Sequence, residues 1–552
     1  MSGRGQEGSV PAAGAPAKKR GLGFAIALAV GLLLPLLGKG GMLAGALLLS
    51  ALFGVPLFVL IGILTILCFL LWGEGIEGLG SFSPLIERIR ELTDKPVLLA
   101  VPLFIMSGAV MAKGEISKRL IDFSRSLVGW IPGGEAISAV VACMLFASIS
   151  GSSPATVVAI GAMMGPTLIQ HGFQKRFTHG LLTASGSLGI LIPPSIPMIL
   201  YPLVYQGAFI EVERLFASGF GPGLLIGGIL ISFCVYRGVV DGVPRQPFRL
   251  ANLWIATRDG FWALMFPAVI LGGIYGGIFN AVEAAAISVV YAVVVEIWVH
   301  RAIELRAVPT IFHETGVFLG SLLVIMVVAL AFTEFLEMRE IPREMVEWIQ
   351  GMELEPWQFL LALNVLLLMV GMAMDIISAM FVFVPLLAPV AISMGVDPMH
   401  FGIIFIVNLE IGYLTPPVGL NLFVASTLFD ESFGHMARSV LPFIVAMLIG
   451  LGMISYLPEI SIGLADVIMG PRPGMDTAAA PLEPRPLEPE DGPEDPAEEA
   501  AGSGSGMQSM EEMMREAAEG GEPGAEPVDE PEPSDPGRMQ TLEEMMREAN
   551  GP

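Results

Sequence analysis

Long apolar runs alternate with short charged loops through most of this chain. They recur at roughly 41–72, 97–112, 136–170, 181–205, 219–236, 261–279, 282–299, 317–336, 358–395, 402–426 and 440–464. A helix needs about 20 apolar residues to cross a bilayer, so the pattern predicts an all-α polytopic membrane protein. Some runs are too long for one simple crossing. Residues 41–72 break at Gly54-Val55-Pro56, which fits two short crossings, while 136–170 and 358–395 fit hairpins that enter and leave on one side. A further apolar run, Leu22–Leu37, follows Lys18-Lys19-Arg20. It has the outline of a signal peptide, but no small-x-small cleavage site precedes the next apolar stretch. We therefore read 1–21 as a disordered cytoplasmic N-terminus and 22–38 as an extra membrane helix.

Loop charge orients the crossings. Arg237, Arg245, Arg249 and Arg258 lie in one loop, and Arg301 and Arg306 in another. The positive-inside rule puts both in the cytoplasm, together with the loops carrying Lys113, Lys118, Arg119, Arg125, Lys175 and Arg176. The alternate loops are acidic, with Glu211 and Glu213 in one and Glu337, Glu340, Glu344, Glu347, Glu353 and Glu355 in the other. This count places the segment after Leu464 outside the cytoplasm.

Composition agrees once the charge is located. Of 552 residues 54% are hydrophobic and 15% charged, yet the net charge is −24. Residues 471–552 carry 22 of the 53 acids and 5 of the 29 bases, so the remainder is close to neutral. This excludes a compact soluble enzyme, a disulfide-stapled domain and a nucleic-acid binder, which needs a basic face. Cys68, Cys143 and Cys234 each sit alone in an apolar run, without metal or disulfide spacing. The tail, rich in Pro, Glu and Gly, is expected to be disordered. It repeats Gln508-Ser-Met-Glu-Glu-Met-Met-Arg-Glu-Ala517 as Gln540-Thr-Leu-Glu-Glu-Met-Met-Arg-Glu-Ala549. Each copy starts with a capping-box pattern but is too short for a stable isolated helix, so folding on a partner and a merely solvated repeat both stay open.

A second repeat lies inside the membrane segments. A shift of 223 residues brings Pro166 onto Pro389, Gly172 onto Gly395, Gly189 onto Gly412, and Pro193-Pro194 onto Pro416-Pro417. An odd number of crossings separates the copies, about 97–236 and 317–465, so they are inverted. Inverted copies with helices interrupted at matching places are the pattern of secondary transporters. Each Pro-Pro pair removes backbone donors, and carbonyls freed at membrane depth must be met by protein, water or an ion. The hairpin turns fall at Ser148-Ile-Ser-Gly-Ser-Ser-Pro154 and near Gly371-Met-Ala-Met-Asp375. Either tip can meet the broken helix of its own repeat, where oxygens would hold a hard cation such as Na⁺ and half-helix N-termini would face an anion. The alternatives are Pro-Pro kinks that only shape packing, and serines that are only small interface residues. Asp375 and Glu410 are ionisable groups at membrane depth and hence candidates for function; Glu410 also fits a structural acid. Asn408 and Asn421 fit either backbone satisfaction or ligand contact, and Glu283 fits a helix cap. An intramembrane enzyme using Asp375 and Glu410 is the alternative of another class, but no paired catalytic motif supports it.

Several motifs carry a family resemblance: Ser150-Gly-Ser-Ser-Pro-Ala-Thr-Val-Val-Ala-Ile-Gly161, Gly189-Ile-Leu-Ile-Pro-Pro-Ser-Ile-Pro-Met198, Asp397-Pro-Met-His-Phe-Gly402, and Asn408-Leu-Glu-Ile-Gly-Tyr-Leu-Thr-Pro-Pro-Val-Gly-Leu-Asn-Leu-Phe423. Over roughly 41–465 the chain resembles the large, DctM-type permease of tripartite ATP-independent periplasmic (TRAP) transporters. The resemblance implies an inverted-repeat elevator with two re-entrant hairpins and two broken helices. It implies a bacterial inner-membrane importer of organic acids, coupled to Na⁺ and without an organic cofactor. The implied partners are a small four-helix membrane subunit and a periplasmic substrate-binding protein. A transporter of related fold that needs no binding protein is the same-class alternative. One Na⁺ site would join Ser150, Gly151, Ser152 and Ser153 to the break at Gly189 and Pro193. The other would join Asp375 to Gly412, Thr415 and Pro416. Ser152, Ser153, Thr156, Ser195 and Asn421 are the implied substrate contacts. The chain departs from the family pattern at Thr156, where many members have Asp, and at Pro202, where Gly is usual. It departs again at Asn280-Ala281-Val282, where Thr-Pro-Thr is usual. The extra helix and the tail lie outside the family core.

Overall fold

The computed structural model describes residues 30, 33–34, 38–53, 55, 57–72, 90, 95–205, 207 and 210–472. The expectations for 1–21, for nearly all of 22–38, for Gly54 and Pro56, and for the tail beyond Arg472 with its two motifs fall outside the described residues. Among the described residues every regular element is helical. In chain order they are α1 (Lys39–Leu52), α2 (Leu57–Trp72), α3 (Ala100–Lys113), α4 (Ile116–Val128), α5 (Gly134–Ser150), α6 (Ser153–Gln170), α7 (Lys175–Ser187), α8 (Ile196–Val204), α9 (Val212–Val240) and α10 (Leu250–Asp259). They continue as α11 (Phe261–Tyr275), α12 (Ala281–Val294), α13 (Val308–Met338), α14 (Ile341–Gln350), α15 (Pro356–Ala373), α16 (Ile376–Ser393), α17 (Pro398–Gly412), α18 (Leu420–Phe429), α19 (Phe433–Tyr456) and α20 (Ile462–Met469). Among the described residues seven helices are long and apolar enough to cross a membrane, or eight if α10 and α11, bent by 66°, form one span.

The series α3–α9 recurs as α13–α19. Each series runs from a long apolar helix to a short amphipathic one, then a hairpin, a broken helix and a second long helix. In α4 the buried side is Ile116, Leu120, Ile121 and Ser124, a helical stripe under a charged outer face. The hairpins are α5–α6, turning at Gly151-Ser152, and α15–α16, turning at Met374-Asp375. The broken helices are α7–α8, interrupted over 188–195, and α17–α18, interrupted over 413–419. The Pro193–Pro194 and Pro416–Pro417 bonds, one in each interruption, are both cis.

The two series lock into each other around these elements. The half-helix α18 packs on α6, and its counterpart α8 packs on α16. Tyr201 of α8 donates its hydroxyl to the Pro398 carbonyl at 2.6 Å, and Gly402 of α17 lets the Tyr201 ring lie close to its backbone. Helix starts are capped from near and far. Asn280 and Glu283 form a reciprocal capping box on α12. The buried Glu296 carboxylate accepts from the Glu115 and Ile116 amides at 3.1 Å each, which caps α4 from a position 180 residues away in sequence. Cys68, Cys143 and Cys234 are all free and buried.

Candidate functional site

Each hairpin tip is built against the interruption of its own repeat. Helix α5 ends because Gly151 takes φ +56°, the left-handed region that favours glycine. A Cβ on Gly151 would lie 3.1 Å from the Pro194 carbonyl oxygen, so the tip touches the first interruption. Gly189 makes the reverse contact. A Cβ there would stand 2.6 Å from Thr156 Oγ1 and 2.7 Å from the Ser152 carbonyl oxygen. In the second repeat Gly371 and Gly412 bring two backbones together, and a Cβ on Gly412 would meet Gly371 Cα at 2.6 Å. The Val418 and Gly419 amides donate to the Met372 carbonyl at 3.3 and 3.4 Å, and the Ile376 amide donates to the Tyr413 hydroxyl at 2.7 Å. Because each tip meets the middle of a broken helix, each hairpin reaches only part-way along it.

Hydroxyls line the first tip. Ser150 Oγ and Thr156 Oγ1 are 3.0 Å apart, and Thr156 donates to the Ser152 carbonyl at 2.9 Å. Thr156 thus puts a neutral hydroxyl at the first tip. Ser152 is the half-buried residue before α6, and Ser153 is fully buried. Pro193 lies buried in the interruption. Ser195 gives its hydroxyl to the Ile190 carbonyl at 2.5 Å, so it satisfies an acceptor freed by the break. In the second repeat Asp375 already serves its own helix. Its carboxylate accepts from the Ser378 amide at 2.9 Å and the Ser378 hydroxyl at 2.6 Å, which caps α16. Thr415 donates to the Ile411 carbonyl at 2.9 Å, and Pro416 is exposed while the first interruption is buried throughout.

Two side-chain pairs join the repeats near the tips and interruptions. Asn421, in the first turn of α18, donates its amide to Ser153 Oγ at 2.5 Å, and its own Oδ1 is buried without a partner. The second contact is between Ser187 and Glu410. Ser187 Oγ donates to Glu410 Oε1 at 3.0 Å, and these residues are 223 positions apart. They are therefore repeat equivalents that touch one another. Glu410 is fully buried, its Oε2 has no hydrogen-bond partner, and no cation pairs with it among the described residues. Asn408 donates to Asn364 Oδ1 and to the Ile404 carbonyl, and its own Oδ1 is buried without a partner. Tyr413 and Ser187 belong to this site but were not singled out from the sequence. Ser187 was within reach of the 223-residue shift, whereas nothing local marked Tyr413.

The site is thus two tips and two interruptions with four half-helix starts, at α6, α8, α16 and α18. Such starts carry unpaired N–H groups and a positive end of the helix dipole. The family description "Tripartite ATP-independent periplasmic transporter, DctM component" matches residues 44–460. This chain belongs to the DctM family. Among its relatives, the C4-dicarboxylate TRAP transporter large permease protein DctM of Pseudomonas aeruginosa is 40% identical over 70% of this chain and 90% of its own length. The ectoine TRAP transporter large permease protein TeaC of Halomonas elongata is 33% identical over 75% of this chain and 96% of its own length. The crystal structure of the Alcanivorax borkumensis YdaH transporter covers 74% of this chain and 98% of that one, with TM-score 0.56 and 15% identity. At that identity the likeness concerns the fold alone. The DctM chain is therefore a multi-pass membrane protein and a transporter permease rather than an enzyme. Its matched region holds both tips and both interruptions.

Proposed function

We propose that this DctM-type permease imports an organic acid by Na⁺ symport, by an elevator motion of the unit that carries both hairpins. The observation that carries the reading is the close approach of each tip to its own interruption, at Gly151 and Gly189 in one repeat and Gly371 and Gly412 in the other. These approaches gather carbonyl and hydroxyl oxygens that suit a hard cation, including those of Ser150, Ser152 and Thr156. Asp375, Gly412, Thr415 and Pro416 would supply the second site, with the Asp375 carboxylate turning from its cap toward the ion.

The anion would lie between the tips, near Ser152, Ser153, Thr156, Ser195 and Asn421. Half-helix starts, rather than a Lys or Arg, would supply the positive potential there. Relatives named for C4-dicarboxylate and for ectoine transport support a small carboxylate as the substrate class. In this reading a periplasmic binding protein delivers the substrate, and a small four-helix membrane subunit flanks the permease in a bacterial inner membrane. The arginine-rich loops and the exposed Trp254, Trp262 and Trp298 would then lie at the cytoplasmic interface, and Trp348 and Trp357 beside the acidic loop at the opposite one. Proteoliposomes holding the complete complex test the reading. Uptake is expected only with an inward Na⁺ gradient and the binding protein present. Uptake that ignores Na⁺ but follows pH overturns the coupling, and uptake without the binding protein supports the alternative transporter class.

A further inference from the structure

Away from the tips, the start of α7 meets the turn between α18 and α19. His179, on α7, is 3% exposed, and its ring stacks on Phe429 with centroids 4.3 Å apart and planes within 9°. His435, in the first turn of α19, turns its ring edge toward it at 6.1 Å. Glu431 lies between these elements on a turn that is fixed by its backbone. Asp430 has φ +50°, the Glu431 amide donates to the Ser426 carbonyl, and Ser426 Oγ donates to the Glu431 carbonyl. Ser432 caps α19 by accepting from the His435 amide, so the Glu431 carboxylate is not needed as a cap.

One ligand atom from each of His179, Glu431 and His435 lies within 4.8 Å of the other two. His179 Nδ1 and His435 Nε2 are both buried, and neither has a hydrogen-bond partner. Buried ring nitrogens are normally bonded, so a pair left unsatisfied beside a carboxylate requires an explanation. Glu431 is also paired with Lys175 Nζ, at 2.5 Å through Oε1, which leaves Oε2 for another partner. We infer that His179, Glu431 and His435 form a binding site for a divalent transition metal of the zinc class. Two imidazoles and one carboxylate suit Zn²⁺ better than Mg²⁺ or Ca²⁺, which prefer all-oxygen sets. Metal–ligand bonds of about 2.0–2.1 Å put tetrahedral ligand atoms ~3.3 Å apart, a spacing inside the 4.8 Å that bounds the cluster. A fourth position is left for water. The bound ion would tie α7 of the first repeat to the α18–α19 turn of the second. This site stands apart from the Na⁺ and substrate reading and does not depend on it.

The test uses the full chain, purified without a polyhistidine tag, stripped with chelator, and titrated with ZnCl₂ alone. One Zn²⁺ per chain is expected. Glu431→Gln and His435→Gln change half-buried residues and are expected to keep the fold. Each should weaken binding by at least the ~10- to 100-fold that disturbing even an outer-shell partner costs. Co²⁺ in the same site should give the visible d–d bands of a four-coordinate centre, lost in His435→Gln. MgCl₂ should neither bind nor compete. The inference is overturned if the wild type shows no saturable Zn²⁺ site. It is equally overturned if folded His435→Gln and Glu431→Gln bind Zn²⁺ as the wild type does, because the metal would then sit on other side chains.

Discussion

Gly189→Ala puts the contact between tip and interruption under direct strain. The new methyl would stand 2.6 Å from Thr156 Oγ1, 2.7 Å from the Ser152 carbonyl oxygen and 2.9 Å from its carbon. Ordinary contact begins near 3.4 Å, so about 0.8 Å of separation must be found. Thr156 cannot easily swing aside, because its hydroxyl is bonded to the Ser152 carbonyl and adjoins Ser150 Oγ. The Ser152 contacts are backbone. The tip must therefore lift from the interruption, at the ~1–3 kcal/mol typical of overpacking. If the Na⁺-bound arrangement bears that cost, Na⁺ affinity falls about 5- to 150-fold, since 1.4 kcal/mol is a factor of ten. The assay is the Na⁺ dependence of uptake in proteoliposomes, with thermal unfolding of the same preparation recorded alongside. Gly452→Ala, on α19 where a Cβ meets nothing within 4 Å, is the control and should leave both readouts alone. A folded Gly189→Ala protein with an unchanged Na⁺ dependence would refute the assignment of a cation to this contact.

Three further outcomes are expected. Asn421→Ala removes the hydrogen bond to Ser153 and should raise the substrate KM several-fold with the unfolding midpoint little changed; an unchanged KM removes Asn421 from the substrate site. Glu296→Ala strips the α4 start of its acceptor and should cost about 3 kcal/mol, the scale of hydrogen bonds to a buried charge, read as a fall in the unfolding midpoint in detergent. Glu410→Gln keeps an acceptor for Ser187 and removes an acid with no cation beside it, so its midpoint should equal or exceed the wild type's; a clear fall would show that the carboxylate has a partner.

Much of the architecture was legible because it breaks local rules inside apolar sequence. Gly-Pro punctuation in a membrane helix is costly, so Gly189–Pro194 and Gly412–Pro417 stood out, and their spacing exposed the repeat. The hairpin turns were legible for the same reason, at Ser148–Pro154 and Gly371–Asp375. What escaped was contact between distant residues. The Glu296 cap on α4 reaches across 180 positions, and His179 meets Glu431 and His435 from another repeat. Ser195 and Asp375 also have partners in the structure that the sequence did not show. The first hydroxyl satisfies a carbonyl, and the second carboxylate caps its own helix. That a residue lies near a break did not reveal which partner already occupied its polar atoms.

The bond between Ser187 and Glu410 has a meaning for the origin of the fold. On a two-fold axis a residue faces its own copy, as in any isologous dimer. Two identical half-chains assembled antiparallel would have to set serine against serine here, or carboxylate against carboxylate, and the latter pair would repel in a buried site. With both halves in one chain, the position on the axis holds a hydroxyl in one copy and a carboxylate in the other. The most symmetric point of this molecule is thus a place where its two halves differ.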